Sequence, residues 1–361
     1  MLMKESQPLA PFTTLGIGGP ARWLVEASSE EEIVEATAWA RERGIALFVL
    51  GGGSNLLVSD AGFDGLVLRV GLRGVEVDEA DHDSRQAGEP SNRVYKAYAG
   101  EDWAGFVERT VQDNCAGVEC LAGIPGTVGG TPVQNVGAYG QEVASAIERV
   151  RVFDLLDRVF VDFTASECSF AYRHSRFNSE DRNRFIVTRV DYRLAPGGEP
   201  TLRYADLLRA VRDQKASVPP TLAEVAAIVR GVRQTKGMLL VEGDPDCQSA
   251  GSFFKNPVVT MEQLQGIAEA SEKEPPHFPA GAGAENAGRV KLPAAWLIEQ
   301  SGFARGYSLG SAGVSSRHTL ALINKGGASA REILALAGKI GDAVEHRFGV
   351  RLAMEPVMVG F

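Results

Sequence analysis

Three consecutive glycines, Gly51, Gly52 and Gly53, followed by Ser54 and Asn55, come directly after an apolar segment, Ile45 to Leu50, that reads as a buried strand. Glycines at a strand end permit left-handed backbone angles and let a ligand approach the main chain closely. Successive N–H groups in such a turn form a nest for an anion. A second glycine-rich segment, with little periodicity, runs from Gly123 to Gly140 and includes Gly126, Gly129, Gly130 and Gly137. Two such loops suit a ligand with two phosphates and large flat ends, which a dinucleotide has. For Gly51 to Asn55 alone an ordinary tight turn is the simpler reading. Taken together, the two loops leave phosphate binding and plain turns equally open.

Neither standard phosphate fingerprint applies. Gly16-Ile17-Gly18-Gly19-Pro20-Ala21 matches G-x-G-x-x-A by letter. No strand is expected before it, however, and Ala21 to Glu26 reads as a strand where a helix should open. Gly51 to Gly53 is likewise followed by an extended segment, with no helix and no Walker lysine.

The remaining pattern is α+β. Ser29 and Glu32 form a capping box ahead of Ile33, Val34 and Ala40 at helical spacing, and Gly44 closes that helix. Leu66 to Val70 reads as a strand and Glu101 to Asn114 as a helix with Trp103, Phe106 and Val107 on one face. Val150 to Phe153 and Val159 to Phe163 alternate as a hairpin, and Arg184 to Leu194 alternates again before Ala195-Pro196-Gly197-Gly198, where a domain change is expected. Beyond it, helices are expected from Thr221 with Glu224, over Pro293 to Ser301 and over Ser329 to Phe348. Strands are expected over Leu320 to Ile323 and Arg351 to Val359. Residues 78–93 and 272–288 are polar and rich in Gly, Pro and Ala, and read as loose surface loops.

Composition narrows the function classes. A chain of 361 residues with 44% hydrophobic residues can bury more than one core. A net charge of −9 argues against a nucleic-acid partner, which needs a basic footprint. No stretch nears the roughly 18 apolar residues of a membrane span, and the N-terminus lacks a signal-peptide core, so a soluble cytoplasmic protein without a membrane partner is expected. Cys115, Cys120, Cys168 and Cys247 show no CxxC spacing, and five scattered histidines offer no metal motif. Reduced thiols and no metal are expected.

Leu50 to Leu57, Ala122 to Gly126 and Gln134 to Gly140 together closely resemble the UDP-N-acetylenolpyruvoylglucosamine reductase family. The resemblance continues, in order, through Phe170 to Ser175, Gly251 to Pro257, Ala295 to Gln300 and Met354 to Pro356, and so covers nearly the whole chain. It implies a two-part FAD-binding domain of the vanillyl-alcohol oxidase and p-cresol methylhydroxylase type over residues 1–198, with an internal boundary near 71. An α+β substrate-binding domain would follow over 199–361, its last strand carrying Glu355. It also implies noncovalent FAD, NADPH as reductant, and conversion of UDP-N-acetylglucosamine-enolpyruvate to UDP-N-acetylmuramate, in a protein expected to be a monomer. Tyr204, in Leu202-Arg203-Tyr204-Ala205-Asp206-Leu207, matches the members that have a closing tyrosine loop.

What the resemblance implies about roles can be set beside plainer readings. Gly51, Gly52, Gly53, Ser54, Asn55, Ile124, Gly126, Thr127, Gly129, Gly130, Asn135, Gly137 and Tyr139 would hold FAD. The chemistry needs a hydride on one alkene carbon and a proton on its neighbour. Ser252 corresponds to the proton donor; the plain alternative is a small turn residue before Phe253. Arg173 would place a permanent cation beside the substrate carboxylate and the developing enolate oxygen. Glu355 would act as an acid or orient a polar network. For both, a structural salt bridge is the alternative. Tyr172, Tyr204, Arg233, Lys236, Asn256 and Gln300 would hold the UDP-sugar. Arg233 and Lys236 could instead be cations at a helix end. After Lys236 the family's Leu-Pro-Asp-Pro pattern gives way to Gly237-Met238-Leu239-Leu240-Val241-Glu242-Gly243-Asp244-Pro245, a short insertion.

Two other functions compete. One is an oxidase of the same flavin superfamily with FAD attached covalently through His174 or Cys168. The other is a non-catalytic nucleotide-sugar binder, against which the joint presence of Arg173, Ser252 and Glu355 speaks.

Overall fold

Local sequence signals set the helices. Ser29 accepts a hydrogen bond from Glu32 N and starts α1 (Glu30–Glu42), as a capping box should. Thr221 and Glu224 bond reciprocally at the start of α4 (Leu222–Thr235), and Ser329 and Glu332 do so at α7 (Ala330–Phe348). These contacts come from a computed structural model that describes residues 1–79, 92–214, 216–280 and 287–361. Among the described residues no helix is long and apolar enough to cross a membrane.

By internal packing the chain forms two units. One comprises Met1–Gln7, Ala21–Gly53 and Asp64–Gln234, and the other Pro8–Pro20, Ser54–Phe63 and Thr235–Phe361. In the first, β1 (Met3–Pro8), β2 (Pro20–Ala27), β3 (Leu47–Leu50) and β5 (Phe63–Val70) make a sheet in the order β1-β2-β5-β3, with β3 and β5 parallel; β4 (Leu56–Val58) belongs to the other unit. The chain passes through 71–74 into an antiparallel sheet. Its strands are β6 (Val75–Glu79), β7 (Arg93–Tyr98), β8 (Cys115–Ala116), β11 (Ile147–Asp154), β12 (Phe160–Thr164) and β13 (Phe185–Pro196), in the order β12-β11-β13-β7-β6 with β8 on β13. Between β8 and β11 lie two short paired strands, β9 (Gly137–Ala138) and β10 (Gln141–Glu142). The helix α2 (Trp103–Gln112) puts Trp103, Phe106 and Val107 into the core, where Trp103 and Phe106 pack on Tyr192. Glu30 ties α1 to the second sheet by a bidentate bond to Arg151, with nitrogen–oxygen distances of 2.8 and 3.0 Å.

The second unit holds the sheet β14 (Ser249–Ser252), β20 (Ala321–Asn324), β19 (Ala312–Val314) and β18 (Ser308–Leu309), hydrogen-bonded in that order. Beside it are a three-stranded sheet of β15 (Val258–Thr260), β17 (Arg289–Lys291) and β16 (Phe278–Pro279), and the helices α5 (Met261–Ser271), α6 (Ala294–Gln300) and α7. Here β4 pairs in parallel with β21 (Val357–Val359).

Several expectations need correction. Residues 199–234 pack with the first unit, because Leu207 and the apolar face of α4 (Val225, Ile228, Val229) lie in its core. Pro8–Pro20 and Ser54–Phe63 pack with the second, where Leu15, Ile17 and Leu57 are buried. A strand, β1, does precede Gly16 to Ala21, though β2 rather than a helix follows. The strand expected over 351–359 is confined to β21, and Glu355 stands before it. Pro356 has no N–H for a ladder, so regular pairing begins only after it. Of the loop expected over 78–93, Asp78 and Glu79 end β6 and Arg93 opens β7, while 80–91 lie outside the described residues. Of that over 272–288, Phe278–Pro279 is β16, and 281–286 lie outside the described residues. The helices α3 (Ala205–Asp213) and α5 were not expected from the sequence.

Candidate active site

In the first unit the two glycine-rich loops touch. A Cβ on Gly52 would stand 2.4 Å from Gly126 Cα and 2.9 Å from Thr127 N, and one on Gly51 would stand 3.1 Å from Thr127 Oγ1. Gly126 and Thr127 are fixed in turn: Trp103 N donates to Gly126 O at 3.1 Å, and Thr127 bridges to Asp102, the N-cap of α2. Gly129 packs on Ala99, donating to its carbonyl at 2.8 Å. Ile124 packs against the core, and Gly130 faces open space. The surface so formed is mostly main chain, with the Thr127 hydroxyl beside Gly51. It fits the FAD that the motifs imply, because a diphosphate is well met by backbone N–H groups where no side chain stands in the way.

Asn135 contributes differently. It is buried with φ +43°, its Nδ2 donates to Glu142 Oε2 (2.8 Å) and Ala171 O (2.9 Å), and its Oδ1 accepts from Ala144 N. Both amide hydrogens are therefore taken inside the protein. Asn135 joins the second glycine-rich loop to the segment carrying Tyr172 and Arg173. Arg173, itself at φ +54°, donates from Nη2 to Gly137 O at 2.8 Å and lies 5.4 Å from the ring of the half-exposed Tyr172. Tyr139 and Tyr204 meet edge to face, with ring centroids 5.8 Å apart. Burial raises both phenols, and Arg233 opposes that at Tyr139. Arg233 donates to Gly123 O at 3.0 Å. So Gly137, Tyr139, Tyr172, Arg173, Tyr204 and Arg233 cluster around the second glycine-rich loop.

In the second unit, residues 253–255 run antiparallel to 353–355 although neither segment is regular strand. Lys255 N donates to Ala353 O, Phe254 bridges to Met354, and Glu355 N donates to Phe253 O, the two donor distances each being 2.9 Å. Glu355 is thereby fixed opposite the residue that follows Ser252. Asn55 Nδ2 donates to Glu355 O at 3.3 Å, and Val357 N to Asn55 O at 2.9 Å. Thr14 Oγ1 donates to Ser54 O and to Ser249 O. Asn256 accepts from Ala294 N at 2.9 Å and so anchors the start of α6. At the other end of α6, Gln300 accepts from Lys273 Nζ at 3.1 Å. The insertion after Lys236 is stapled by Asp246, whose carboxylate accepts from Ser316 N and Oγ, and by an ion pair of Asp244 with Arg317 at 2.7 Å.

Lys236 has a neighbour that the sequence did not single out. His318 is held neutral: burial lowers its pKa most, the cations Lys236 and Arg305 lower it further, and Glu299 opposes them, leaving it at about 4 against an ordinary 6.5. Between those values the unfolded chain binds a proton that the folded chain does not. The His318 contribution to stability is therefore complete above pH 6.5 and is lost as pH falls towards about 4. The expected slope is up to about 1.4 kcal/mol per pH unit. Thermal unfolding of wild type and His318→Asn across this window checks it; parallel curves would show that His318 does not titrate as described.

Residues 21–158 match the family described as FAD binding domain, and residues 244–359 match that described as UDP-N-acetylenolpyruvoylglucosamine reductase, C-terminal domain. The UDP-N-acetylenolpyruvoylglucosamine reductase of Streptomyces coelicolor is 43% identical over 361 residues, which cover 98% of this chain and 89% of the relative. The chain belongs to the UDP-N-acetylenolpyruvoylglucosamine reductase family. The reductase of the same name from Thermobifida fusca is also 43% identical, over 98% of this chain and 97% of the relative. The crystal structure of the Thermus caldophilus reductase superposes with a TM-score of 0.65 at 26% identity, over 99% of this chain and all of that one. Membership in this reductase family makes the N-terminal α+β part an FAD-binding domain and the chain an FAD-dependent oxidoreductase.

Proposed function

We propose that the protein reduces UDP-N-acetylglucosamine-enolpyruvate to UDP-N-acetylmuramate with NADPH, a step of peptidoglycan precursor synthesis. The observation that carries this is the pairing of Glu355 N with Phe253 O at 2.9 Å. It sets a carboxylate-bearing residue against the backbone beside Ser252, in a chain that aligns with reductases of this name over 98% of its length. When bound, FAD would supply the hydride chemistry that links NADPH to the alkene.

The chain's own residues have three tasks in this reading. Gly51, Gly52, Gly53, Ser54, Asn55, Ile124, Gly126, Thr127, Gly129, Gly130, Gly137 and Tyr139 hold FAD, while Asn135 shapes that loop. Arg173 faces the substrate carboxylate and stabilises negative charge as it grows on the adjoining oxygen. Ser252 gives its hydroxyl proton to the neighbouring carbon, and Glu355 restores or orients that proton. Tyr172, Tyr204, Arg233, Lys236, Asn256 and Gln300 hold the nucleotide-sugar. Tyr204→Phe, which keeps the ring and removes the hydroxyl, is expected to raise KM about 5- to 20-fold with a smaller change in kcat, the size of one lost hydrogen bond. Steady-state kinetics on the two proteins decide it, and an unchanged KM removes the hydroxyl from the site.

FAD is held noncovalently in this reading. Cys168, one candidate for covalent attachment, is fully buried in the first core, and burial pushes its thiol up to about 12, the opposite of a poised nucleophile. Denaturation should therefore release the flavin into the supernatant. A cytoplasmic monomer belongs to the same reading, and a light-scattering mass of two chains would overturn it.

The test of the whole is the visible flavin spectrum, recorded anaerobically. NADPH should bleach it, and the enolpyruvyl substrate should then restore it. Bleaching without restoration keeps the FAD domain and removes the substrate.

A further inference from the structure

Glu119 is fully buried between β8 and the second glycine-rich segment, and the reaction gives it no task. A buried carboxylate is costly unless its oxygens are met by donors. Here they are. Oε2 accepts from Gly117 N at 2.8 Å, and Oε1 accepts from Thr201 N at 2.7 Å and from Gln141 Nε2 at 3.1 Å. Gln141 extends the cluster: its Oε1 accepts from Cys120 N at 2.8 Å, and the same Nε2 reaches Thr201 Oγ1 at 3.2 Å. The Cys120 thiol, kept protonated by burial, donates to Thr201 O at 3.1 Å. Thr201 is thus held by its N–H, its carbonyl and its hydroxyl, in a stretch with no regular secondary structure of its own.

Both ends of this cluster lead to the tyrosine pair. Gln141 lies two residues after Tyr139, and Thr201 three residues before Tyr204. The two segments stay together between clamp and rings. Gly140, at φ +82°, packs on Arg203 so closely that a Cβ there would stand 3.2 Å from Arg203 Cβ. Residues 139–141 and 201–204 are therefore a matched pair, fixed at one end by the buried cluster and meeting at the other as two rings.

We infer that Glu119 is a positioning residue for Tyr204. Its carboxylate anchors the root of the segment that carries the ring, and so fixes where the ring stands when the nucleotide-sugar is held. This rests on the reading of Tyr204 as a substrate-holding residue. An amide at position 119 has the same shape but presents hydrogens to one set of donors, either Gly117 N–H or the Thr201 and Gln141 pair.

In the full-length, FAD-loaded protein, Glu119→Gln is expected to raise KM for the UDP-enolpyruvyl sugar about 10- to 100-fold, the scale of a lost charge-assisted hydrogen bond. Flavin reduction by NADPH should change by less than about twofold, because the bond from Cys120 N to Gln141 Oε1 still holds the segment that carries Tyr139 and the Tyr204 segment alone loses its anchor. Combined with Tyr204→Ala, the penalties should not add: the double variant should match the KM of Tyr204→Ala alone within about threefold. Additive penalties, or an unchanged KM in a folded Glu119→Gln protein, overturn the inference while leaving the role of Tyr204 intact. An unchanged KM in Tyr204→Ala removes Tyr204 from the site and the inference with it. If Glu119→Gln does not fold, Thr201→Val, which keeps shape and main chain but lacks the hydroxyl, carries the test. It should raise KM by about 2- to 5-fold, again without adding to Tyr204→Ala. No change in KM overturns the proposal.

Discussion

Ser252→Ala should slow the substrate-reducing half-reaction by ~10²–10⁴ and leave reduction of the flavin by NADPH unchanged, as expected when a positioned proton donor is removed. The asymmetry is the informative part. Ser252 ends β14, which is paired with the buried strand β20. The next residue, Phe253, is fully buried and bonded to both Leu320 O and Glu355 N through its main chain. Alanine keeps all of those main-chain bonds and removes one oxygen, so the backbone around residue 252 should not change. A hydroxyl is a poor acid in water, and its use here requires a strongly basic, enolate-like partner held at hydrogen-bond distance. Stopped-flow traces of the two half-reactions separate the cases. Equal loss in both would mean that Ser252 supports the fold near the flavin and gives no proton. A loss confined to reoxidation, with solvent-deuterium sensitivity altered, would assign the proton to it.

What the sequence made legible was local. The capping pairs Ser29 with Glu32, Thr221 with Glu224, and Ser329 with Glu332 each involve residues three apart, and each helix starts where the pair says. Thr260 and Gln263 carry the same signal, and α5 begins there. The apolar run over 351–359 suggests a longer strand than forms, because Pro356 lacks the N–H that a ladder needs. The linear division at 198 missed a pairing between β4 and β21, which are remote in sequence, and the docking of α4 onto the first core. No window of neighbouring residues carries that information.

The candidate site was legible to a similar depth. The family motifs point to Arg173, Ser252 and Glu355; in the structure Arg173 donates to Gly137 O in the first unit, and Glu355 N pairs with Phe253 O in the second. The motifs could not tell ligand contacts from internal supports. Asn135 reads as a binding amide, yet it directs both amide hydrogens into the protein. Glu119 and His318 gave no signal at all. Glu119 meets partners 22 and 82 residues away, and His318 acquires its character from burial beside Lys236 and Arg305.

The glycine loops permit a sharper test of the cofactor site than any motif does. Gly52→Ala should cost FAD affinity by at least about 100-fold, with a loss of protein stability of ~1–3 kcal/mol from overpacking. The added methyl would lie 2.4 Å from Gly126 Cα, 2.7 Å from its carbonyl carbon and 2.9 Å from Thr127 N. All three obstacles are main chain, so no side chain can rotate out of the way, and one loop must retreat from the other by about an ångström to restore ordinary van der Waals contact. Gly126 cannot yield easily, since its carbonyl accepts from Trp103 N, and Trp103 is fully buried in the first core. Thr127 is likewise tied to Asp102 at the start of α2. The strain must therefore fall on Gly51 to Gly53, the main chain read as the phosphate cradle. Flavin content on purification and titration of the stripped protein with FAD measure the effect, with the unfolding midpoint recorded on the same samples. Lost stability with unchanged FAD affinity would mean that Gly51 to Gly53 is only a tight turn that happens to pack on the second loop. Loss of FAD out of proportion to stability would show that the contact between the two glycine loops is what shapes the cofactor site.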